Sequence, residues 1–371
     1  MEIFANRLDR AYRLHQSEYE EAALRVLRSG WYVLGNELKN FESEFASYLG
    51  GGECVGLASG LDALWITFRL LGIGAGDEVI VQGNTYIATV MGITINGATP
   101  VFAEPDAHYA MDASLLESLR TPRTKAVLVT HLYGMMTKMS PIVDFCRKHG
   151  LFLVEDCAQA HGCADEGKAA GTFGDVGCFS FYPTKNLGAF GDGGAVWTAS
   201  KELADKFRVF RNYGSDKPFH NSVVGANSRL DELQAALLRV KLSHLDEMNE
   251  QKQRIAMRYL NEIQNPHVIL PSVSPNTKNV WHQFVICCEQ RDALATHLKQ
   301  QGIGTGMHYP VPPHLSQAYQ YLNTPKNTLP KTEHLANNVL SLPSYVGITE
   351  EEQSKVIEAV NNFQFRRTLN E

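Results

Sequence analysis

From Glu53 onward the chain alternates short β-branched runs with longer segments of helical spacing, and few patterns restrict a fold more tightly. "ECVGL", "DEVIVQ", "TPVFAE", "KAVLVT", "LFLVED" and "GCFSF" read as strands. In "LDALWITFRLLGIG" the apolar residues Leu61, Leu64, Trp65, Phe68 and Leu71 recur at three- and four-residue steps, which predicts a helix. This alternation predicts an α/β fold with a mainly parallel central sheet covered by helices on both faces. A chain of 371 residues exceeds what one core normally fills, so a second domain is expected. The run "RLDELQAALLRVKLSHLDEMNEQKQRIAMRYLNEIQN" reads as a long helix broken near Leu245. The expected division is therefore a large domain over residues 1–245, opening with the polar helical segment "QSEYEEAALRVLRSG", and a smaller α+β domain over 246–371.

Composition matters here for what it excludes. A net charge of -6 without a basic stripe gives no reason to expect a nucleic-acid partner. The longest apolar runs are too short to span a bilayer, and "MEIFANRLDR" lacks the apolar core of a secretion signal, so a cytoplasmic protein without a membrane partner is expected. Seven cysteines form an odd set with no metal-ligand spacing; buried free thiols and no metal site are the expectation.

In an open parallel sheet, ligands collect beyond the carboxyl ends of the strands. After "ECVGL" come Ser59, Gly60 and Leu61 at a helix start; after "LFLV" come Glu155, Asp156 and then Gln159; after "GCFSF" come Tyr182 and Lys185. Ser59 by itself reads as a simple N-cap, with part of a phosphate site at the helix N-terminus as the other reading. Asp156 reads as a loop carboxylate or as a functional acid. Lys185 lies between "FSFYP" and "GAFGDGG", where burial would lower its pKa and free its amine as a nucleophile. One cofactor uses all three parts. Pyridoxal 5'-phosphate needs an amine for its aldehyde, an acid for its ring nitrogen and an anion pocket for its phosphate.

"SGWYVLGNELKNFESEFASYLG", "ASGLDAL", "NTYIATVMGITINGATPVFAEPD", "VEDCAQAHG", "FSFYPTKNLGAFGDGGAV", "GANSRLDELQAA" and "HYPVPPHLSQAY" occur in this order over most of the chain. In these segments the sequence resembles the DegT/DnrJ/EryC1/StrS sugar aminotransferases, of the fold-type I pyridoxal-phosphate class. The resemblance implies that Lys185 joins the cofactor covalently, Asp156 pairs with the ring nitrogen, Gln159 donates near the phenolic oxygen and Tyr86 stacks on the ring. It implies phosphate contacts from Ser180 and the backbone of Gly60 and Leu61, and a further contact from Asn227 of a neighbouring subunit in a homodimer with shared active sites. Where the family has "SGT" this chain reads "SGL", so a threonine hydroxyl contact is missing at Leu61. Tyr182, His308 and Tyr309 are expected to line the sugar site, the last two contributed by the partner subunit.

The same resemblance implies a nucleotide-linked keto sugar as acceptor and L-glutamate as donor, with a dTDP-linked 3-keto-6-deoxyhexose as the closest substrate. Amination at C4 of a dTDP- or UDP-linked sugar is an alternative, as is a non-catalytic cofactor-sensing protein. Relatives that remove a hydroxyl carry histidine where this chain has Lys185.

Overall fold

The β-branched runs build a seven-stranded sheet, seen in a computed structural model that describes residues 2–364. Its strands are β1 Glu53–Leu57, β2 Glu78–Gln82, β3 Thr99–Ala103, β4 Thr124–Thr130, β5 Phe152–Asp156, β6 Val176–Ser180 and β7 Gly194–Thr198, in the spatial order β1-β7-β6-β5-β4-β2-β3. The pairings β6-β5-β4-β2-β3 are parallel, whereas β7 runs antiparallel to both neighbours. β7 was not among the six anticipated strands. Its apolar stretch is only Ala195-Val196-Trp197, directly after a glycine-rich loop, too short to announce itself by pattern.

Alternation along the strands sorts side chains into two cores. Val79, Val81, Ala126, Leu128 and Val154 enter one face of the sheet, against the helix Gly60–Leu70; Ile80, Val127, Val129 and Leu153 enter the other, with Phe41, Phe45, Phe179 and Phe181. Both faces are covered because both are apolar. All seven cysteines are buried and free.

The long helical run is two helices, Glu232–Ser243 and Leu245–Glu262. Beyond it, the antiparallel pair Phe284–Cys287 and Val339–Leu342 packs with the helices Arg291–Gln300 and Glu350–Asn361 around a further core of Tyr259, Trp281, Phe284, Leu294, Leu340 and Val356. That core also takes Ile3, Tyr109, Leu132, Tyr133 and Met135 from the first part of the chain, and Val280 returns to the first core. The further core thus draws residues from both sides of the expected division at residue 245. Residues 365–371 of the expected second domain lie outside the described residues. Among the described residues no helix is long and apolar enough to cross a membrane.

One buried carboxylate shapes the pocket edge from behind. Glu155 accepts N–H bonds from Gly171, Phe173 and Gly174, and His131 Nε2 lies 3.1 Å from it. Thr137 N–H donates to His131 Nδ1, so the imidazole proton sits on Nε2 and points at Glu155. His131, Glu155 and Cys157 come within metal-binding reach of one another, but these bonds already occupy the imidazole and the carboxylate. Glu155→Ala would leave several buried donors without a partner. It should destabilise the protein by about 3 kcal/mol, read as a lower midpoint in chemical denaturation.

Candidate active site

Residues 155 and 156 show how strand alternation makes a site. Glu155 points away into the loop 171–174, and Asp156, one residue on, points into a cavity of about 630 Å³ at the carboxyl edge of the sheet. A volume of this size suits a cofactor with part of a substrate. Every expected site residue except Asn227 lines it: Ser59, Gly60, Leu61, Tyr86, Asp156, Gln159, Ser180, Tyr182, Lys185, His308 and Tyr309.

The floor is acidic. Asp156 is buried; Thr89 Oγ1 donates to its Oδ2 at 2.7 Å and Ala158 N–H to its Oδ1 at 3.1 Å. Thr89 is in turn bonded to Thr85, and Thr85 to Thr130, all buried. Desolvation raises the Asp156 pKa above the ordinary value, against the two hydrogen bonds and the charge of Lys185, which favour the carboxylate. A cation seated on this carboxylate would relieve the cost of its burial.

Lys185 stands in the turn after β6, where its N–H donates to Tyr182 C=O at 2.9 Å. Burial lowers its pKa to about 8, with Asp156 pulling in the opposite direction. Roughly one amine in ten is then uncharged at pH 7, against about one in three thousand at an ordinary lysine. Among the described residues its Nζ makes no hydrogen bond or ion pair.

The third part is the helix start at Gly60. Ser59 is indeed an N-cap: its Oγ accepts from Asp62 N–H at 3.1 Å, and its C=O accepts from Ala63 N–H. Gly60 and Leu61, the first two residues of the helix, line the cavity ahead of the capped donors, where helix N–H groups lack intrahelical partners. Gly60 is dictated by crowding, because a Cβ there would meet the Ser180 Cβ at 2.5 Å. The close approach puts the Ser180 hydroxyl beside the helix start.

Asn227 is exposed and donates to Tyr213 Oη at 2.8 Å, outside the pocket. Its neighbour Ser228 faces inward, accepting from Ala58 N–H and donating to Asp62, which turns Asn227 outward.

His308 and Tyr309 correct the expectation that a partner subunit supplies them, since both line the pocket of their own chain. After the helix Arg291–Gln300 the backbone returns across the pocket. Gly306 pairs with Ser341, His308 Nδ1 lies 2.8 Å from Ser341 Oγ, and the Tyr133 hydroxyl donates to His308 C=O. Tyr309 then meets Gln159, whose Nε2 donates to its hydroxyl at 3.1 Å, and tilts against Tyr86 with ring centroids 4.9 Å apart. Tyr86 and Tyr182 are each about half exposed at the mouth. Gln159 Oε1 accepts Tyr133 N–H.

Sequence reasoning missed Thr89, Thr130, His282 and Gln283, which also line the cavity. Thr89 sits three residues after Tyr86 at the start of the helix Ile87–Thr94, so helical spacing could have found it. His282 and Gln283 lie just before a small-domain strand, and nothing local marks them. Burial holds His308 near 4 and His282 well below its ordinary value, so both are neutral at pH 7.

A free amine, a buried acid and an anion-receptive helix start in one cavity define the site of an enzyme that works through a carbonyl-bearing, phosphorylated cofactor. The chain belongs to the DegT/DnrJ/EryC1/StrS aminotransferase family, whose profile matches residues 14–361. It is 48% identical to the dTDP-3-amino-3,6-dideoxy-alpha-D-galactopyranose transaminase of Aneurinibacillus thermoaerophilus, over 95% of this chain and 96% of that one. It is 46% identical to the dTDP-3-amino-3,4,6-trideoxy-alpha-D-glucose transaminase of Streptomyces venezuelae, over 97% and 95% respectively. Its fold superposes with a TM-score of 0.95 on the crystal structure of S. venezuelae DesV in complex with a ketimine intermediate, at 46% identity over 97% of this chain and 98% of that one.

The lysine carries a prediction that needs no cofactor. In competitive acylation of the apo protein across pH 6–11, Lys185 should titrate near 8 while surface lysines titrate near 10. A value near 10 for Lys185 would contradict the burial argument.

Proposed function

We propose that this protein is a pyridoxal-phosphate-dependent aminotransferase that moves the amino group of L-glutamate onto C3 of a dTDP-linked 3-keto-6-deoxyhexose in the cytoplasm. The observation that carries the reading is the enclosure of Lys185 and Asp156 in one cavity with the helix start at Gly60. The donor set suits the cofactor. A desolvated carboxylate matches a protonated ring nitrogen, a readily freed amine matches an aldehyde, and the Gly60 and Leu61 N–H groups with Ser180 Oγ match a phosphate. Bound there, pyridoxal phosphate supplies an electron sink and carries the amino group between donor and acceptor.

The chain's own residues do the rest. Lys185 Nζ would tether the cofactor and, once freed as a neutral amine, would take the proton from the donor's α-carbon and, in the second half-reaction, deliver one to C3 of the sugar. Asp156, held in place by Thr89 and the Ala158 N–H, would pair with the ring nitrogen and keep it protonated. Gln159, fixed by Tyr133 N–H, would offer an amide donor to the ring's phenolic oxygen, and Tyr86 would pack against the ring. Tyr182, His308 and Tyr309 bound the side where the sugar enters.

A nucleotide diphosphate needs cations that the cavity lacks. Lys185 is its only lysine or arginine among the described lining residues, and its two histidines are neutral. We take the missing charge to come from a second copy. The 215–221 hairpin and the segment after it carry Lys217 and Arg229 together with the fully exposed Phe219 and Val224, and Asn227 points outward beside them. A homodimer that shares its active sites accounts for both features. The choice of C3 rests on the likeness to the two transaminases named above.

With glutamate, the pure protein should aminate a dTDP-3-keto-6-deoxyhexose at C3, identified by NMR, and leave the 4-keto isomer largely unreacted. Amination at C4 alone would overturn the regiochemistry and spare the class. Asp156→Asn should cut turnover by about 10²-fold or more. Thr89→Val should weaken cofactor retention, with Thr89→Ser restoring it, read by dialysis and absorbance as well as by rate.

A further inference from the structure

On the far side of Lys185 from the active-site cavity lies a smaller one of about 40 Å³, roofed by residues 6–11 of the N-terminal segment. Its lining carries Arg7, Lys185, Lys241 and Lys252 and, among the described residues, no carboxylate. Lys241 and Lys252 are both more than nine-tenths buried. Lys241 Nζ makes one hydrogen bond, to Gly188 C=O at 3.2 Å; Lys252 Nζ makes two, to His282 C=O at 3.0 Å and Ser344 C=O at 2.8 Å. An ammonium has three N–H donors, so Lys241 has two to spare and Lys252 one. Tyr345, also in the lining and buried, has a hydroxyl with no partner. The nearby amide oxygens are engaged: Asn249 Oδ1 accepts from Asn186 Nδ2, and Asn186 Oδ1 lies 3.2 Å from His282 Nδ1.

The wall therefore offers more donors than acceptors, the Thr184 hydroxyl and Asn6 Oδ1 being its other polar side-chain groups. A water could accept two of these bonds but would bring two donors of its own into a site already rich in them. An anion brings acceptor capacity and opposite charge together, and the volume limits it to a small one. We propose that this cavity is a binding site for a monovalent, halide-sized anion, held by Lys241 Nζ, Lys252 Nζ and the Tyr345 hydroxyl.

Other groups near it agree. Arg7 is paired with Asp9 outside the lining, so it adds little net charge, and Lys185 faces the active-site cavity as well. Burial lowers Lys241 to about 8 and Lys252 to about 7, the second also through the charge of the first, and no carboxylate offsets either. An anion keeps both amines charged. In that form they hold the carbonyls of Gly188, His282 and Ser344, backbone that flanks the reactive lysine.

The site is made of the chain's own residues, so its test stands apart from the cofactor reading. Crystals of the holoenzyme soaked in sodium bromide should show an anomalous peak touching both amines and the Tyr345 hydroxyl. In solution, chloride-35 NMR line broadening should give a saturable affinity that falls as pH rises from 6 to 9, as the two amines lose their protons. Tyr345→Phe removes a hydroxyl that bonds nothing else, so it should fold normally and weaken binding by about tenfold; Lys241→Met should abolish it. A cavity filled only by water, or an affinity unchanged in Tyr345→Phe, overturns the proposal.

Discussion

Two charges that burial disfavours, the Asp156 carboxylate and the Lys185 ammonium, share one pocket at the carboxyl edge of the sheet, and each depends on what the other leaves unmet. Desolvation raises the acid and lowers the amine, which drives both toward their neutral forms. Hydrogen bonds resist this only for the acid, through Thr89 and the Ala158 N–H, while the amine has no hydrogen-bond partner among the described residues and only the charge of Asp156 to oppose its burial. The outcome is a carboxylate prepared for a cation and a nucleophile with its lone pair within reach of neutral pH.

That asymmetry needs a rigid frame on three sides. Behind β5, Glu155 and His131 lock the 171–174 loop; at the helix start, Gly60 lets Ser180 approach to a distance no other side chain allows. From the small domain, the 306–309 segment is pinned to Ser341 and Tyr133 and brings Tyr309 onto Gln159. The pocket is thus bounded by two cores, with neutral histidines where a cation would compete with Lys185 for the acid.

Much of this was legible from residues alone. The strands before Ser59, Asp156 and Lys185 were visible as apolar runs, and the rule that sites form at their carboxyl ends collected the right side chains. Of the two adjacent acids the sequence reading picked Asp156, and it is the one in the pocket; what it did not foresee is the role of Glu155, whose partners lie in the 171–174 loop and at His131. β7 escaped notice because three apolar residues among glycines carry no period. His308 and Tyr309 were placed in the wrong subunit because the path of the chain after the helix Arg291–Gln300 is decided by pairing with Ser341, far along the sequence. His282 and Gln283 enter by the same long-range folding and carry no local mark.

The site works as described only if the amine at position 185 is the one that holds the cofactor. Treating the native, cofactor-loaded protein with borohydride and mapping its peptides by mass spectrometry tests this directly. A pyridoxyl group should be found fixed on Lys185 alone. Protein that demonstrably contains the cofactor but yields an unmodified Lys185 peptide, or the label on another lysine, would contradict it.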